Sequence, residues 1–158
     1  MIFTTKAEYG VRLLVELGRQ NEGRPVSLKA IAEAEGLPLA YLERIVALLR
    51  KAELVESTRG AHGGYRLSRP PEEIRMDEAI LALEGSVAPM TCFVDDRGET
   101  GHSVLCSHEA DHGHGCATKL LWTRVQGGVF KALQQTTLAD LVAFSVKTTP
   151  PRQPVAAA

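Results

Sequence analysis

The sequence of 158 residues contains no apolar run close to the ~20 residues that a membrane-spanning helix needs. Its N-terminus also lacks a charged and then apolar segment, the pattern of a secretory signal peptide. Hydrophobic residues make up 44% of the chain and charged residues 23%, which is typical of globular proteins. We therefore expect a soluble, cytoplasmic protein that has no membrane partner.

The sequence also lacks the short motifs of several common enzyme classes. It has no Gly-rich phosphate-binding loop, no nucleophile elbow and no HExxH metal motif. A thiol–imidazole pair could be built from its cysteines and histidines, but catalysis of that kind would leave the N-terminal half without a role. We do not expect an enzyme.

The chain has no strong excess of positive charge, since its net charge is −1. The charges are nevertheless unevenly distributed. Residues 1–69 carry 11 Lys or Arg and 8 Asp or Glu, whereas the rest of the chain carries 7 and 11. A basic N-terminal part and an acidic remainder suit a protein that contacts nucleic acid with one part only.

Three helices are predicted before residue 53. The first follows Thr4 and Thr5, and its apolar face is expected to contain Ala7, Val11, Leu14, Val15 and Gly18. The second, residues 28–35, has Ser27 as its N-cap and stops at Gly36. The third begins at Pro38 and continues to about residue 52, burying Leu42, Ile45, Val46 and Leu49.

The short connection between the second and third helices is typical of a helix-turn-helix, although an ordinary pair of packed helices has the same pattern. A predicted β-hairpin follows, with strands at residues 54–57 and 64–67. Its Gly-rich tip, residues 58–63, contains Arg59, a long cation that suits a narrow minor groove. This order of elements predicts a mainly α fold with a small β-hairpin, a winged helix-turn-helix in residues 1–69.

The residues expected to contact DNA lie at the start of the second helix, in the first turns of the third helix and in the hairpin: Lys29, Leu39, Ala40, Tyr41, Glu43, Arg44, Arg59 and His62. Arg44 is suited to guanine or phosphate and Glu43 to the cytosine amino group. Lys29 is suited to a phosphate, which would fix the register of the protein on the duplex.

Three cysteines, Cys92, Cys106 and Cys116, lie close together in the sequence with four histidines between them. The histidines are His102, His108, His112 and His114. Thiolates bind iron–sulfur clusters, zinc and copper(I), and imidazole binds zinc, copper and iron. Short Cys-x2-Cys spacings of structural zinc sites are missing. From the residues alone, a metal site, a metal-free thiol switch and a loop with incidental cysteines all remain open.

The sequence resembles the Rrf-type winged-helix transcriptional regulators, a family that includes IscR-, NsrR- and RirA-like iron–sulfur regulators. The matching segments are 6–10 (KAEYG), 41–43 (YLE), 48–55 (LLRKAELV), 59–60 (RG), 63–67 (GGYRL), 80–85 (ILALEG) and 136–141 (TTLADL). The resemblance extends to about Val146, and the RGxxGGY pattern of the hairpin is its most specific part.

This resemblance implies a homodimer on a partly palindromic, double-stranded DNA operator. It divides the chain into the winged helix (1–69), a connecting helix (70–87), a cluster-binding loop (88–118), the dimerisation and C-terminal helices (119–147) and a flexible tail (148–158). The dimerisation helix, residues 119–135, has an apolar stripe of Leu121, Val125, Val129 and Leu133, with Trp122 and Phe130 beside it. Gly127 and Gly128 interrupt it, which a close helix–helix approach or a bend would explain.

The resemblance further implies an iron–sulfur cluster, 2Fe–2S or 4Fe–4S, bound by Cys92, Cys106 and Cys116, although their spacing is wider than in the family. Some members use a histidine three residues after the last cysteine, where this chain has Lys119. Others use a carboxylate, and the partner subunit's Glu8 stands at that position. The expected function is operator binding controlled by a redox- or nitric-oxide-responsive cluster; the alternative is sensing through zinc or bare cysteine thiols.

Overall fold

The computed structural model describes residues 3–20, 24–60, 62–87 and 117–148. The elements are α1 (Thr5–Gly18), α2 (Leu28–Glu35), α3 (Leu39–Lys51), β1 (Val55–Thr58), β2 (Gly64–Leu67), a 3-10 turn (Pro71–Glu73), α4 (Met76–Glu84), α5 (Ala117–Gln134) and α6 (Leu138–Thr148). The expected mainly α fold with one small hairpin is confirmed. None of the described helices is both long enough and apolar enough to cross a bilayer.

The ends of the first helices are set by side chains next to them in the sequence. The Thr4 side chain accepts a hydrogen bond from the backbone N–H of Lys6 at the start of α1. Ser27 accepts from the N–H of Ala30 at 3.1 Å, as an N-cap should. Gly36 ends α2 with a φ of 64°, a left-handed conformation that favours glycine.

The hydrophobic core lies where α1 packs against α2, α3, α4 and α6. The predicted core residues of α3 are all buried: Leu42, Ile45, Val46 and Leu49. In α1 the buried face is wider than the pattern indicated. Leu13 and Leu17 are buried, whereas Val11 and Val15 are half-buried. The reason is that α4 and α6, which come from distant parts of the chain, cover α1 on a further side.

Strands β1 and β2 form an antiparallel hairpin, and residues 55–67 are called the wing below. Val26, just before α2, pairs with Tyr65 of β2 through two backbone hydrogen bonds of 2.8 Å. A Cβ atom on Gly64 would lie 2.4 Å from the Val26 carbonyl oxygen, so this approach requires glycine. The wing is therefore attached to the segment that leads into α2.

The turn between α5 and α6 is hydrogen-bonded to the segment before α4. The Met76 N–H donates to the Thr136 carbonyl at 3.0 Å, and the Leu138 N–H donates to the Ile74 carbonyl at 2.8 Å. At the start of α6, Asp140 accepts hydrogen bonds from the N–H and hydroxyl of Thr137, which lower the pKa of Asp140. Leu138 is fully buried in the core with α1 and α3. The C-terminal helix thus packs on the same core as the helix-turn-helix.

We predict that Ser27→Ala lowers the free energy of unfolding by ~1 kcal/mol, because the Ala30 N–H loses its acceptor at the start of α2. Urea unfolding followed by circular dichroism measures the change. Ser27→Asp is the control, since aspartate is also a good N-cap and should retain most of the stability. Equal losses in the two variants would contradict the capping role.

Candidate nucleic-acid interface

The first turns of α3 present most of the predicted DNA-contacting residues to solvent. Leu39, Ala40, Glu43 and Arg44 are exposed. Tyr41 differs, because it is half-buried and its ring meets Tyr9 of α1 edge-on, with 5.7 Å between the ring centroids. Tyr41 therefore has a packing role in addition to any contact with DNA.

The exposed face of α3 continues beyond the predicted residues. Ala47 and Lys51 are exposed and follow Ala40 and Arg44 at helical spacing. Arg44 is the last residue of α3 predicted from the sequence to contact DNA, although the 3.6-residue period extends the same face by two turns.

Lys29 and the wing supply further exposed cations. Lys29 lies in the first turn of α2, and its ammonium group is 3.9 Å from Glu33, an exposed pair of little energetic weight. Arg59 and His62 are exposed in the wing loop. Arg66 of β2 pairs instead with Glu56 of β1, so it braces the hairpin. Within the described ranges, Arg44 and Arg59 have no carboxylate partner.

Of the four expected cluster ligands, only Glu8 lies within the described residues; Cys92, Cys106 and Cys116 lie outside them. Glu8 is in the first turn of α1 with 65% of its side chain exposed, and its nearest cation is Arg12 at 3.9 Å. Across the described ranges, no group of three or more His, Cys, Asp or Glu residues is close enough to hold a metal ion. The exposed carboxylate of Glu8 is thus available to a ligand.

The structure describes the residues on either side of the cysteine segment, residues 88–116. Before it, Val87 is buried against Ala7 of α1 and Ile80 of α4. The Val87 carbonyl also accepts a hydrogen bond of 3.3 Å from Gln126 of α5. After it, α5 begins at Ala117, directly following Cys116. Val87, the last described residue before the segment, therefore packs against Ala7, which precedes Glu8 in the sequence.

Glu84 holds the start of α1 to the end of α4. Its carboxylate accepts hydrogen bonds from the N–H and the hydroxyl of Thr4 at 3.2 and 2.5 Å. Lys6 lies 3.9 Å away, and the Glu84 side chain is largely buried. No local pattern in the sequence predicts this contact, because the two residues are 80 positions apart. It fixes the turn of α1 that contains Glu8.

A helix-turn-helix with an exposed N-terminal face on its second helix, followed by a cation-bearing hairpin, defines a winged-helix DNA-binding protein. The chain matches the Rrf2 family, described as iron-dependent transcriptional regulators, over residues 3–144. It belongs to that family. This confirms the resemblance found in the sequence and identifies the protein as a DNA-binding transcriptional regulator.

Among its relatives is the protein Rrf2 of Nitratidesulfovibrio vulgaris, 35% identical over 90% of this chain and 87% of the relative. CymR of Bacillus subtilis is 34% identical over 92% of both chains. The solved structure of T. potens IscR has a TM-score of 0.72 and 33% identity, covering 96% of this chain and 93% of that one. These relatives are transcriptional regulators and not enzymes, as expected for this chain.

Proposed function

We propose that this Rrf2-family regulator is a cytoplasmic homodimer whose operator affinity depends on a redox- or nitric-oxide-responsive iron–sulfur cluster. Cys92, Cys106 and Cys116 of one subunit and the partner subunit's Glu8 would hold the cluster. The observation that supports the proposal is the exposed carboxylate of Glu8, whose only ion pair within the described residues is a 3.9 Å contact with Arg12, so that it is open to a ligand from another subunit.

We assign the contacts with DNA to residues of α3, α2 and the wing. Arg44 and Glu43 on α3 would contact base edges in the major groove. Lys29 at the start of α2 would contact a phosphate. Arg59 in the wing would enter the adjacent minor groove, with His62 beside it. The exposure of all five side chains, and the absence of an ion pair at Arg44 and Arg59 within the described residues, support these roles.

Of the apolar stripe expected to contact the partner, Val129 and Leu133 pack instead against the cluster of Ala7, Ile80 and Val87 in the same chain. Dimerisation through α5 is supported by the surface that this helix leaves uncovered. Leu120 and Leu121 are 60% and 56% exposed near its start. Gly127 and Gly128 lie inside the helix, and a Cβ atom on either would meet nothing within 4 Å. Two glycines in a helix cost about 1 kcal/mol each relative to alanine, and no contact within the described chain explains them. A second copy of α5 packed close to this face would explain the two glycines.

The three cysteines and Glu8 fit an iron–sulfur cluster by the chemistry of their donor atoms. Thiolates are the usual ligands of such clusters. Glu8 is mostly exposed and has only a distant ion pair, so its carboxylate can bind a metal without first breaking a strong contact. When bound, the cluster would supply a group whose redox state and integrity respond to oxidants and nitric oxide.

Sensing by the cysteine thiols themselves, with zinc or without metal, is the second candidate. CymR of B. subtilis, whose solved structure is described as the global cysteine regulator, is 35% identical with a TM-score of 0.71. CymR of Staphylococcus aureus has been solved in an oxidized form and is 34% identical. These values are close to those of the IscR relatives. The two candidates differ in whether the purified protein contains iron and sulfide.

For the dimer, we predict that replacing Gly127 and Gly128 together by glutamine raises the dimer dissociation constant about tenfold or more. Glutamine is a good helix former, so the isolated helix should gain stability while the larger side chains separate the two copies. Sedimentation at several protein concentrations measures the change. Ala34→Gln introduces the same side chain at an exposed position of α2, outside the proposed interface, and is the control. An unchanged dissociation constant would exclude this face as the interface.

For the wing, we predict that Arg59→Ala weakens operator binding about tenfold and reduces the slope of log affinity against log salt concentration by ~1. Fluorescence anisotropy with a duplex selected by the wild-type protein provides the measurement. Arg75→Ala removes the same charge at the start of α4, outside the residues proposed to contact DNA or the partner subunit. If both variants lose affinity equally, Arg59 acts only through net charge and the wing assignment is wrong.

For the cluster, we predict that protein purified without oxygen is coloured and contains iron and acid-labile sulfide. Cys92→Ser, Cys106→Ser and Cys116→Ser should each abolish the colour, and Glu8→Ala should alter the absorbance spectrum. Glu33→Gln, a change at an exposed acid of α2, should have no effect. Colourless, iron-free protein would refute the cluster, and a response of its DNA binding to thiol oxidants would support the second candidate.

A further inference from the structure

Glu35, the last residue of α2, is held by two arginines of α1. Its carboxylate accepts a 2.9 Å hydrogen bond from Nε of Arg12. The second guanidinium belongs to Arg19, whose terminal nitrogen lies 3.6 Å from the other carboxylate oxygen. Only 16% of the Glu35 side chain is exposed. A carboxylate between two guanidiniums at this depth is a specific contact between helices, unlike a solvated surface pair.

Arg12 also donates a hydrogen bond to the backbone carbonyl of Glu35. The last carbonyls of a helix have no partner inside the helix, so Arg12 caps the end of α2 from a neighbouring helix. An acidic side chain at a helix C-terminus is disfavoured by the helix dipole. Glu35 is thus in an unfavourable position for α2 alone, and the two arginines of α1 offset that cost.

The contacts of Arg19 and Arg12 extend to two further helices. Arg19 donates to the Ser145 hydroxyl of α6 at 3.1 Å and pairs with Glu16 at 3.0 Å. Arg12 lies 6.0 Å from the ring centre of Tyr9, which in turn contacts Tyr41 of α3. The end of α2 is therefore tied to α1 and α6, close to the first turn of α3.

We infer that Glu35 is a positioning residue for operator recognition. It fixes the end of α2, and the chain turns at Gly36 directly afterwards to begin α3. The direction of α3 relative to α2 therefore depends on where Arg12 and Arg19 hold Glu35. Glu35 itself does not touch DNA. This inference rests on the proposed reading of bases by α3 and is independent of the cluster.

If Glu35 positions α3, its removal should lower specific binding to the operator without lowering non-specific binding to DNA. Base contacts require the correct position of α3, whereas non-specific binding depends mainly on the attraction between cations and phosphates. Removing the Glu35 carboxylate makes the protein more positive by one charge, which favours non-specific binding. It also frees α2 and α3 to shift, which disfavours specific binding. The ratio of the two affinities should therefore fall.

The experiment compares Glu35→Gln with Glu33→Gln. Both remove one negative charge from α2, but Glu33 is 70% exposed and pairs only with Lys29 on its own helix. Wild-type protein first selects an operator from random duplexes, and all variants are then titrated with that duplex and a scrambled one. We expect Glu35→Gln to lower the ratio of operator to scrambled affinity about tenfold or more. Glu33→Gln should leave the ratio within twofold of wild type.

A second arm tests whether Glu35 acts through the arginines. Glu35→Gln is added to a protein that already has Arg12→Gln and Arg19→Gln, and it should then change the ratio less than twofold. Circular dichroism first establishes that each variant is folded at the assay temperature. If Glu35→Gln is not folded, Arg19→Gln replaces it in the comparison with Glu33→Gln, because Arg19→Gln removes one of the two cations and leaves the Arg12 bond to the Glu35 carbonyl.

Equal ratios for Glu35→Gln and Glu33→Gln would overturn the inference, as would an undiminished effect of Glu35→Gln in the arginine-free protein. Failure of the proposed DNA-reading function would be seen separately, since wild-type protein would then select no operator. The two failures are therefore distinguishable within one set of titrations.

Discussion

The fold depends on the burial of α1 among four other helices, α2, α3, α4 and α6. Leu13 and Leu14 have no exposed surface, and Leu17 is nearly as buried. Burying such side chains stabilises the fold by ~2 kcal/mol each, more than an exposed ion pair contributes. Because apolar contacts cover so much of α1, its polar residues are confined to one stripe, and that stripe contains both Glu8 and the arginines that hold α2.

The first three helices and the wing could be predicted from the sequence because their determinants are local. Ser27 caps α2 by accepting a hydrogen bond from the N–H of Ala30, three positions later. Gly36 adopts the left-handed conformation that ends α2. Residues that depend on distant contacts were less predictable. Leu17 is buried because α6 covers it, and Leu138 is buried because the segment before α4 pairs with the turn before α6. No local period encodes either contact.

In the candidate sites, too, features with local determinants could be predicted from the sequence, whereas features that depend on distant contacts could not. The exposed residues of α3 follow from its period, since the opposite face is apolar, and the cysteine segment is evident from composition alone. The half-buried state of Tyr41 and the two-arginine contact of Glu35 arise only when α1 packs across the helix-turn-helix. From the sequence alone, an isolated charged residue is predicted to be exposed and to have no structural role. Its partner, 23 residues away in the case of Arg12 and Glu35, decides whether it has a structural role.

Arg12 faces two carboxylates, and the geometry decides which one matters more. Its contact with Glu35 is a 2.9 Å hydrogen bond to a largely buried group, reinforced by the bond to the Glu35 carbonyl. Its contact with Glu8 is 3.9 Å long and the Glu8 side chain is mostly exposed, so solvent screens it and it contributes at most ~1 kcal/mol. A ligand that draws Glu8 away would therefore leave Arg12 bound to α2. Under the proposed function, release of Arg12 from α2 would therefore not be the link between the cluster ligand Glu8 and the helix-turn-helix.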